Sequence, residues 1–223
     1  MNILAVETSG DYCSVALWRD GKIDDREMPA GQRQSGILID MAHALMSECG
    51  VTLRQVDGIA YGAGPGSFTG LRVACGVVQG LALGAGKPVV GVGTLMALAQ
   101  ASDVARVVCC IDARMNEVYH AAYEKVAGGW SAVHEPGVYA PDGVPSLPGA
   151  DWQACGNGFA AYGDALRGRY ARQLAGIDDA AHPRAREVAL LSAPIFAARG
   201  GLSADHAAPV YVRDKVALKT HER

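Results

Sequence analysis

The most constraining feature of the sequence is a glycine-rich string that runs from Gly62 to Arg72 and reads Gly-Ala-Gly-Pro-Gly-Ser-Phe-Thr-Gly-Leu-Arg. Three glycines within five positions free the backbone to turn sharply, which predicts a tight connection from a strand at 58–61 to a helix at about 69–83. An apolar run at 89–92 closes a strand–helix–strand unit, expected to be parallel and right-handed. The string therefore indicates an α/β fold.

The same string is a candidate anion-binding loop, because such a turn leaves N–H groups unpaired at the positive end of the helix dipole. The candidate residues are Gly64, Gly66, Ser67 and Thr69. Alternatively, Ser67 or Thr69 caps the same N–H groups without any ligand. The Lys of a Walker motif is missing, since Gly70-Leu-Arg72 stands where Gly-Lys-Ser/Thr is needed. Nucleotide hydrolysis at this loop is therefore not expected.

The remaining pattern indicates two related lobes. Three apolar runs separated by 8–11 and by Asp20-Gly21 predict an opening antiparallel meander, and 35–49 carries one apolar helical stripe. The pattern then restarts, with predicted strands at 104–111, 118–123, 133–139 and 152–156, a loop at 136–148, and helices at 159–167 and 186–199. We predict a first lobe at 1–100 and a smaller second lobe at 101–223.

The helix after the glycine string carries a stripe of three further glycines, Gly76, Gly80 and Gly84. Each costs a helix about 1 kcal/mol relative to alanine, so another backbone is expected to approach closely as compensation. That backbone could belong to the protein's own sheet or to a partner's helix, and the sequence leaves both open. In the second case the two helices would share a bundle with the partner through Ile37, Leu38, Met41, Leu45, Ala74, Gly76, Val77 and Gly80.

Composition excludes several classes of function. The formal net charge of −3 provides no global positive field, which disfavours a stand-alone nucleic-acid binder. Residues 213–223 form a local basic tail, which is either a frayed, solvated end or a contact with a partner or tRNA. Six histidines without helical pairing make a metal site improbable, and six cysteines without a C-x-x-C pair indicate reduced core residues. Nothing at the N-terminus resembles a signal peptide or membrane span, so we expect a cytoplasmic protein.

No residue is assigned a catalytic role. Glu7 follows the first predicted strand, where nucleotide-binding lobes often place a functional carboxylate, and with Thr8, Ser9 and Asp11 it could form a polar cluster facing a cleft. An ordinary hairpin in which Ser9 and Asp11 bond their own backbone is the favoured interpretation.

Several motifs together resemble the bacterial TsaB family over nearly the full chain. They are Ile3-Leu-Ala-Val-Glu-Thr-Ser9, Gly64-Pro-Gly-Ser-Phe-Thr-Gly-Leu-Arg72, Asp112-Ala-Arg114 and Pro209-Val-Tyr-Val-Arg213. The resemblance implies an actin-like fold of the Hsp70/sugar-kinase type, with two RNase H-like lobes of which the second is abbreviated. It also implies a non-catalytic partner subunit of TsaD, the threonylcarbamoyltransferase that modifies tRNA next to the anticodon.

Further expectations follow from the resemblance. TsaE, an ATPase, would join the complex, ATP and metal would be bound by the partner subunits rather than by this chain alone, and tRNA would be contacted indirectly. The two helices at 35–49 and 69–83 would form the bundle with TsaD, or with a second copy in a homodimer. Two departures stand out: Glu7 where the family commonly has Asp, and Gln34-Ser35 where it commonly has His-Ser.

Two rival functions remain open at the level of sequence. One is an independent nucleotide-binding enzyme of the actin-like group that uses Glu7 and the glycine loop. The other is a glycoprotease-like peptidase, which is disfavoured because the helical histidine pair that such a metallopeptidase needs is missing.

Overall fold

The computed structural model describes residues 1–30 and 34–213 of the 223-residue chain. The predicted basic tail beyond Arg213, with Lys215, Lys219, His221 and Arg223, lies outside the described residues. Within the described part the chain forms two five-stranded sheets, each with helices packed against it. We call the first sheet with its helices the first lobe, and the second sheet with its helices the second lobe.

The first sheet has three antiparallel strands followed by two parallel ones, as the opening runs and the strand–helix–strand unit predicted. Its strands are β1 (Asn2–Glu7), β2 (Tyr12–Arg19), β3 (Lys22–Pro29), β4 (Gly58–Gly64) and β5 (Val89–Gly93), in the order β3-β2-β1-β4-β5. β1 and β4 are buried almost throughout, because helices cover both faces of the sheet.

The helices of the described residues are α1 (Gln34–Glu48), α2 (Phe68–Ala85), α3 (Thr94–Gln100), α4 (Gly158–Ala161), α5 (Gly163–Tyr170) and α6 (Ala185–Arg199). α1 and α2 cover one face of the first sheet, where Leu4 and Val6 of β1 contribute to their core. α6 covers the opposite face, where Ile3 and Ala5 point. Because successive side chains of β1 point to opposite faces of the sheet, this one strand contributes to the hydrophobic core on both faces.

The second sheet repeats the topology of the first. Its strands are β6 (Arg106–Asp112), β7 (Val118–Val126), β8 (Gly129–Tyr139), β9 (Trp152–Cys155) and β10 (Leu174–Asp178), in the order β10-β9-β6-β7-β8. β6, β7 and β8 are antiparallel neighbours, whereas β9 and β10 run parallel to β6. Counted within each lobe, both sheets have the order 3-2-1-4-5, which confirms two RNase H-like lobes in an actin-like α/β fold.

The second lobe is abbreviated, as expected. The irregular segment 140–151 replaces the helix that α1 supplies in the first lobe, and the short helices α4 and α5 stand where the 18-residue α2 stands in the first. The predicted single helix at 159–167 was wrong, because the helix breaks at Tyr162. The predicted loop at 136–148 was too long: β8 continues through Pro136, which an edge strand tolerates. Strand β10 and helix α3 were not predicted from the sequence.

The last part of the chain belongs to the first lobe, not to the second. Val188, Ala189 and Phe196 of α6 are buried against the first sheet, and Leu202 then pairs with Val89 at its edge. The predicted range 101–223 for the second lobe is therefore too long, since the chain returns at residue 185. A helix of weak amphipathicity does not reveal which of two sheets it covers.

The core of the second lobe contains a buried histidine. His120 on β7 is fully buried, and neither of its ring nitrogens has a hydrogen-bond partner among the described residues. Its ring lies 5.7 Å from those of His134 and Tyr139 and 6.4 Å from that of Tyr170. Burial, helped by the nearby His134, lowers the pKa of His120 from 6.5 to about 3. The imidazole is therefore neutral in the folded protein.

This burial predicts that acid destabilises the protein through His120. An unfolded chain binds a proton near pH 6.5 while the folded chain does not, so stability is full above that pH and falls as pH drops toward 3. Between about pH 7.5 and pH 5 the loss should be about 2 kcal/mol. Urea unfolding of wild type and His120→Leu at both pH values measures it.

The variant should lose less stability on acidification than the wild type. The wild type must be compared with the variant because burial also raises the pKa of Glu7. The Glu7 contribution to the free energy of unfolding therefore increases as pH falls, opposite to that of His120. Equal losses in both proteins would contradict a neutral, buried His120.

Candidate functional site

The glycine string packs directly on the turn between β1 and β2. A Cβ atom at Gly70 would lie 1.9 Å from the carbonyl oxygen of Thr8, and one at Gly66 would lie 2.6 Å from that of Ser9. The Thr8 hydroxyl also donates a 2.7 Å hydrogen bond to the Gly70 carbonyl. These glycines are therefore required by the close approach of two backbones.

The loop satisfies several of its own N–H groups. The Ser67 N–H donates to the Ser9 carbonyl at 2.7 Å, and the Gly64 N–H donates to Thr94 Oγ1 at 3.1 Å. Ser67 caps α2 by accepting from the Gly70 N–H at 3.3 Å, which is the capping contact that the alternative interpretation predicted for that residue. Anion binding at Gly64, Gly66, Ser67 and Thr69 stays a prediction, with fewer free donors than the sequence suggested.

Glu7 lies beneath the loop and is almost completely buried. Its Oε1 accepts from the Ser9 N–H, and a Cβ at Gly62 would lie 1.6 Å from its Oε2. Burial raises the pKa of the carboxyl, while hydrogen bonds from Ser9 and Thr8 act in the opposite direction. The carboxylate of Glu7 therefore braces the turn and packs on Gly62. The favoured interpretation, in which Ser9 and Asp11 bond their own backbone, was wrong for Ser9, because its buried hydroxyl has no hydrogen-bond partner among the described residues.

A cleft of about 620 Å³ separates the two lobes beside this loop. Ser9, Asp11 and Thr69 line it from the first lobe, and Asp112 and Arg114 line it from the second. Asp112 is already engaged, since it accepts from the Arg114 N–H at 2.8 Å and the Tyr162 hydroxyl at 3.1 Å and pairs with the Arg114 guanidinium. Among the described residues, no group of three or more His, Cys, Asp or Glu could hold a metal ion.

The glycine stripe on α2 faces away from the body of the protein. A Cβ atom at Gly76, Gly80 or Gly84 would meet no atom within 4 Å among the described residues. Leu83 on the same side is 78% exposed. The approach of the protein's own sheet, one of the two explanations that the sequence left open, is therefore wrong. Close approach of another molecule remains.

Half of the predicted partner-binding residues lie inside the first lobe rather than on its surface. The buried ones belong to its core: Leu38, Leu45, Ala74 and Val77. Ile37 and Met41 are half-buried, so among the eight candidates Gly76 and Gly80 are the exposed ones. Ile39, 45% exposed, and Leu83 were missed.

The strong apolar stripe of each helix faces the protein's own core, and the accessible face is offset from it. We call the exposed residues of these two helices the α1/α2 face. By length and composition α2 could cross a membrane, yet Leu71, Val78 and Ala82 bury one side of it in the core. The α1/α2 face is therefore the outer side of a core helix pair.

Comparison with known proteins agrees with this architecture. Residues 29–220 match the family described as TsaD: tRNA N6-adenosine threonylcarbamoyltransferase. The tRNA threonylcarbamoyladenosine biosynthesis protein TsaB of Escherichia coli strain K12 is 36% identical, over 98% of this chain and 97% of that protein. The TsaB protein of Haemophilus influenzae is 34% identical over 98% and 96%. The structure of YeaZ from Pseudomonas aeruginosa superposes with a TM-score of 0.87 and 35% identity, covering 94% of this chain and 99% of that one.

Alanine substitutions at a crowded glycine of the loop and at an uncrowded glycine of α5 should change stability in opposite directions. Gly70→Ala places a methyl group against the Thr8 carbonyl and should destabilise the fold by about 1–3 kcal/mol. Gly168→Ala, at an exposed helical glycine of α5 with nothing within 4 Å, should stabilise it by up to about 1 kcal/mol. Urea unfolding midpoints measure both, and a Gly70→Ala midpoint at or above that of the wild type would contradict the contact.

Proposed function

Given that the chain belongs to the TsaB family of tRNA threonylcarbamoyladenosine biosynthesis proteins, we propose that it serves this modification as a partner subunit of TsaD. The family assignment rests on 36% identity over nearly the whole of both chains. The single structural observation that carries the proposed role is the α1/α2 face, whose glycine stripe meets no other part of the chain within residues 1–30 and 34–213.

A helix with three exposed glycines on one side is costly on its own. Gly76, Gly80 and Gly84 together give up about 3 kcal/mol of helix propensity relative to alanine. The α2 helix tolerates this because its opposite side is anchored in the core by Ala74 and Val78. The flat stripe lets a second helix approach to backbone distance, and exposed Leu83 adds apolar area that such a helix would bury.

The match to the TsaD family indicates what that second helix is. It covers residues 29–220, which include both α1 and α2. A TsaD chain built on the same lobe would present equivalent helices, so the two proteins could pair face to face with near two-fold symmetry. The same self-complementary geometry would allow a homodimer when TsaD is absent.

We place the chemistry in the partner subunits. The α2 N-terminus is capped by Ser67, and the glycine loop donates N–H groups to its own protein, which supports a chain that binds no nucleotide by itself. ATP and metal are assigned to TsaE and TsaD, and tRNA is contacted through the complex, in keeping with the net charge of −3. The complex would assemble in the cytoplasm.

A charge in the glycine stripe should separate folding from assembly. Gly80→Glu places a carboxylate on the α1/α2 face in open space, so the isolated chain should stay folded while TsaD no longer co-purifies with it. In a strain lacking the gene, this variant should fail to restore threonylcarbamoyladenosine in bulk tRNA, measured by mass spectrometry.

Gly168→Glu on α5 is the matched control, because it adds the same charge at an exposed helical glycine of the second lobe. It should co-purify with TsaD and restore the modification. Gly80→Ala tests close approach itself: the methyl group should stabilise the isolated monomer by up to about 1 kcal/mol yet weaken TsaD binding. Wild-type recovery of TsaD by Gly80→Glu would overturn the proposed interface.

The rival enzyme of the actin-like group predicts nucleotide binding by the isolated chain. We expect calorimetry with ATP and magnesium to show no saturable heat, because the Gly64, Ser67 and Gly70 N–H groups already have partners. Tight binding to the chain alone, lost in Thr69→Val at the cleft, would instead favour the rival.

A further inference from the structure

The segment Ala207–Arg213, which we call the strap, follows the last helical turn and crosses the mouth of the cleft. It is fixed first to β4. The Val210 N–H donates to the Ala63 carbonyl at 2.7 Å, and the Tyr61 hydroxyl both accepts from the Ala208 N–H at 3.0 Å and donates to its carbonyl at 3.2 Å. The strap is thus tied to the first sheet by one main-chain hydrogen bond and by the Tyr61 side chain.

The strap is fixed a second time to α2, the helix that carries the glycine stripe. Gln79 Nε2 donates to the Ala207 carbonyl at 2.8 Å, and Arg72 Nε donates to the Tyr211 hydroxyl at 3.2 Å. The guanidinium of Arg72 also lies 3.6 Å above the ring of Phe68. These contacts place the strap on the first lobe along most of its length.

Gly64 makes room for it. This residue has a φ of +114°, and a Cβ there would lie 2.8 Å from the Val210 carbonyl oxygen. The close approach of the strap therefore explains why position 64 is a glycine, whereas the β1–β2 turn explains only Gly66 and Gly70.

The end of the strap reaches the second lobe. The Arg213 guanidinium pairs with Glu117 and lies 5.9 Å above the ring of Tyr119. Its Nη1 is 3.6 Å from Met115 Sδ. The Arg213 side chain is only 15% exposed, so this ion pair is less screened by water than a pair on the open surface.

The turn that receives Arg213 has an unusual backbone. Arg114, Met115 and Asn116 have φ values of 60°, 56° and 58°, in the left-handed region that side chains disfavour. Three successive residues of this kind persist only when surrounding contacts hold them. The turn is closed by the Ala113 N–H, which donates to the Glu117 carbonyl at 2.9 Å, and Met115 and Glu117 add contacts to Arg213.

We infer that the strap is an interlobe clasp, in which the Arg213–Glu117 ion pair couples α2 to the left-handed turn of the second lobe and limits opening of the cleft. One side of the pair belongs to a segment anchored on the first lobe, and the other belongs to the turn between β6 and β7 of the second lobe. Release of Glu117 should therefore loosen the strap where it lies on the first lobe, at residues that Glu117 does not touch.

Amide hydrogen exchange of the full chain, followed by mass spectrometry, tests this coupling. Glu117→Gln should raise the exchange rate of peptides covering 207–212 by about threefold or more, as expected for loss of a partly buried ion pair. Glu124→Gln is the matched control: Glu124 is 37% exposed against 38% for Glu117, and it pairs with Arg106 inside the second lobe. It should leave the strap unchanged.

Arg213→Lys, which keeps the charge but loses the planar fork, should give an intermediate rate. The clasp is overturned if Glu117→Gln speeds exchange only in 113–117, if neither segment changes, or if Glu124→Gln loosens the strap equally. Because the measurement uses the isolated chain, its outcome does not depend on TsaD binding.

Discussion

The contact between the glycine loop and the β1–β2 turn determines much of the first lobe. Gly66 and Gly70 allow the loop to lie against the carbonyls of Ser9 and Thr8, at distances that a Cβ atom would prevent. This contact fixes where α2 begins, buries Glu7 and forms one wall of the cleft. A position as crowded as this cannot relax by side-chain rotation, since both neighbours are backbone.

The second lobe uses the same device on a smaller scale. Gly156 and Gly158 lie against the Cys110 carbonyl, where a Cβ would come within 2.4 and 2.8 Å. Its helices are short, however, and no counterpart of α1 covers its sheet in the described residues. The pair of long helices therefore belongs to the first lobe, and this asymmetry is the reason that we propose the partner surface there.

Helix α2 connects three parts of the molecule. One side is buried in the first core, one side presents the glycine stripe, and its N-terminal half holds the strap through Arg72 and Gln79. A molecule that docks on the stripe would touch a helix already linked to the second lobe through Arg213. Under the proposed assembly and the proposed clasp, one helix would link docking on the stripe to the width of the cleft, and each would then influence the other.

The sequence alone determined the positions of most strands along the chain, the tight loop and the family, because these depend on local backbone geometry and short motifs. Only the tertiary structure decided which apolar residues face out: Leu38 and Val77 are core residues, whereas Leu83 and Gly80 are not. The tertiary structure also decided that α6 packs on the first sheet and that Arg213 pairs with Glu117. Such burial and pairing join segments far apart in the chain, and no periodicity within one helix encodes which neighbour will cover it.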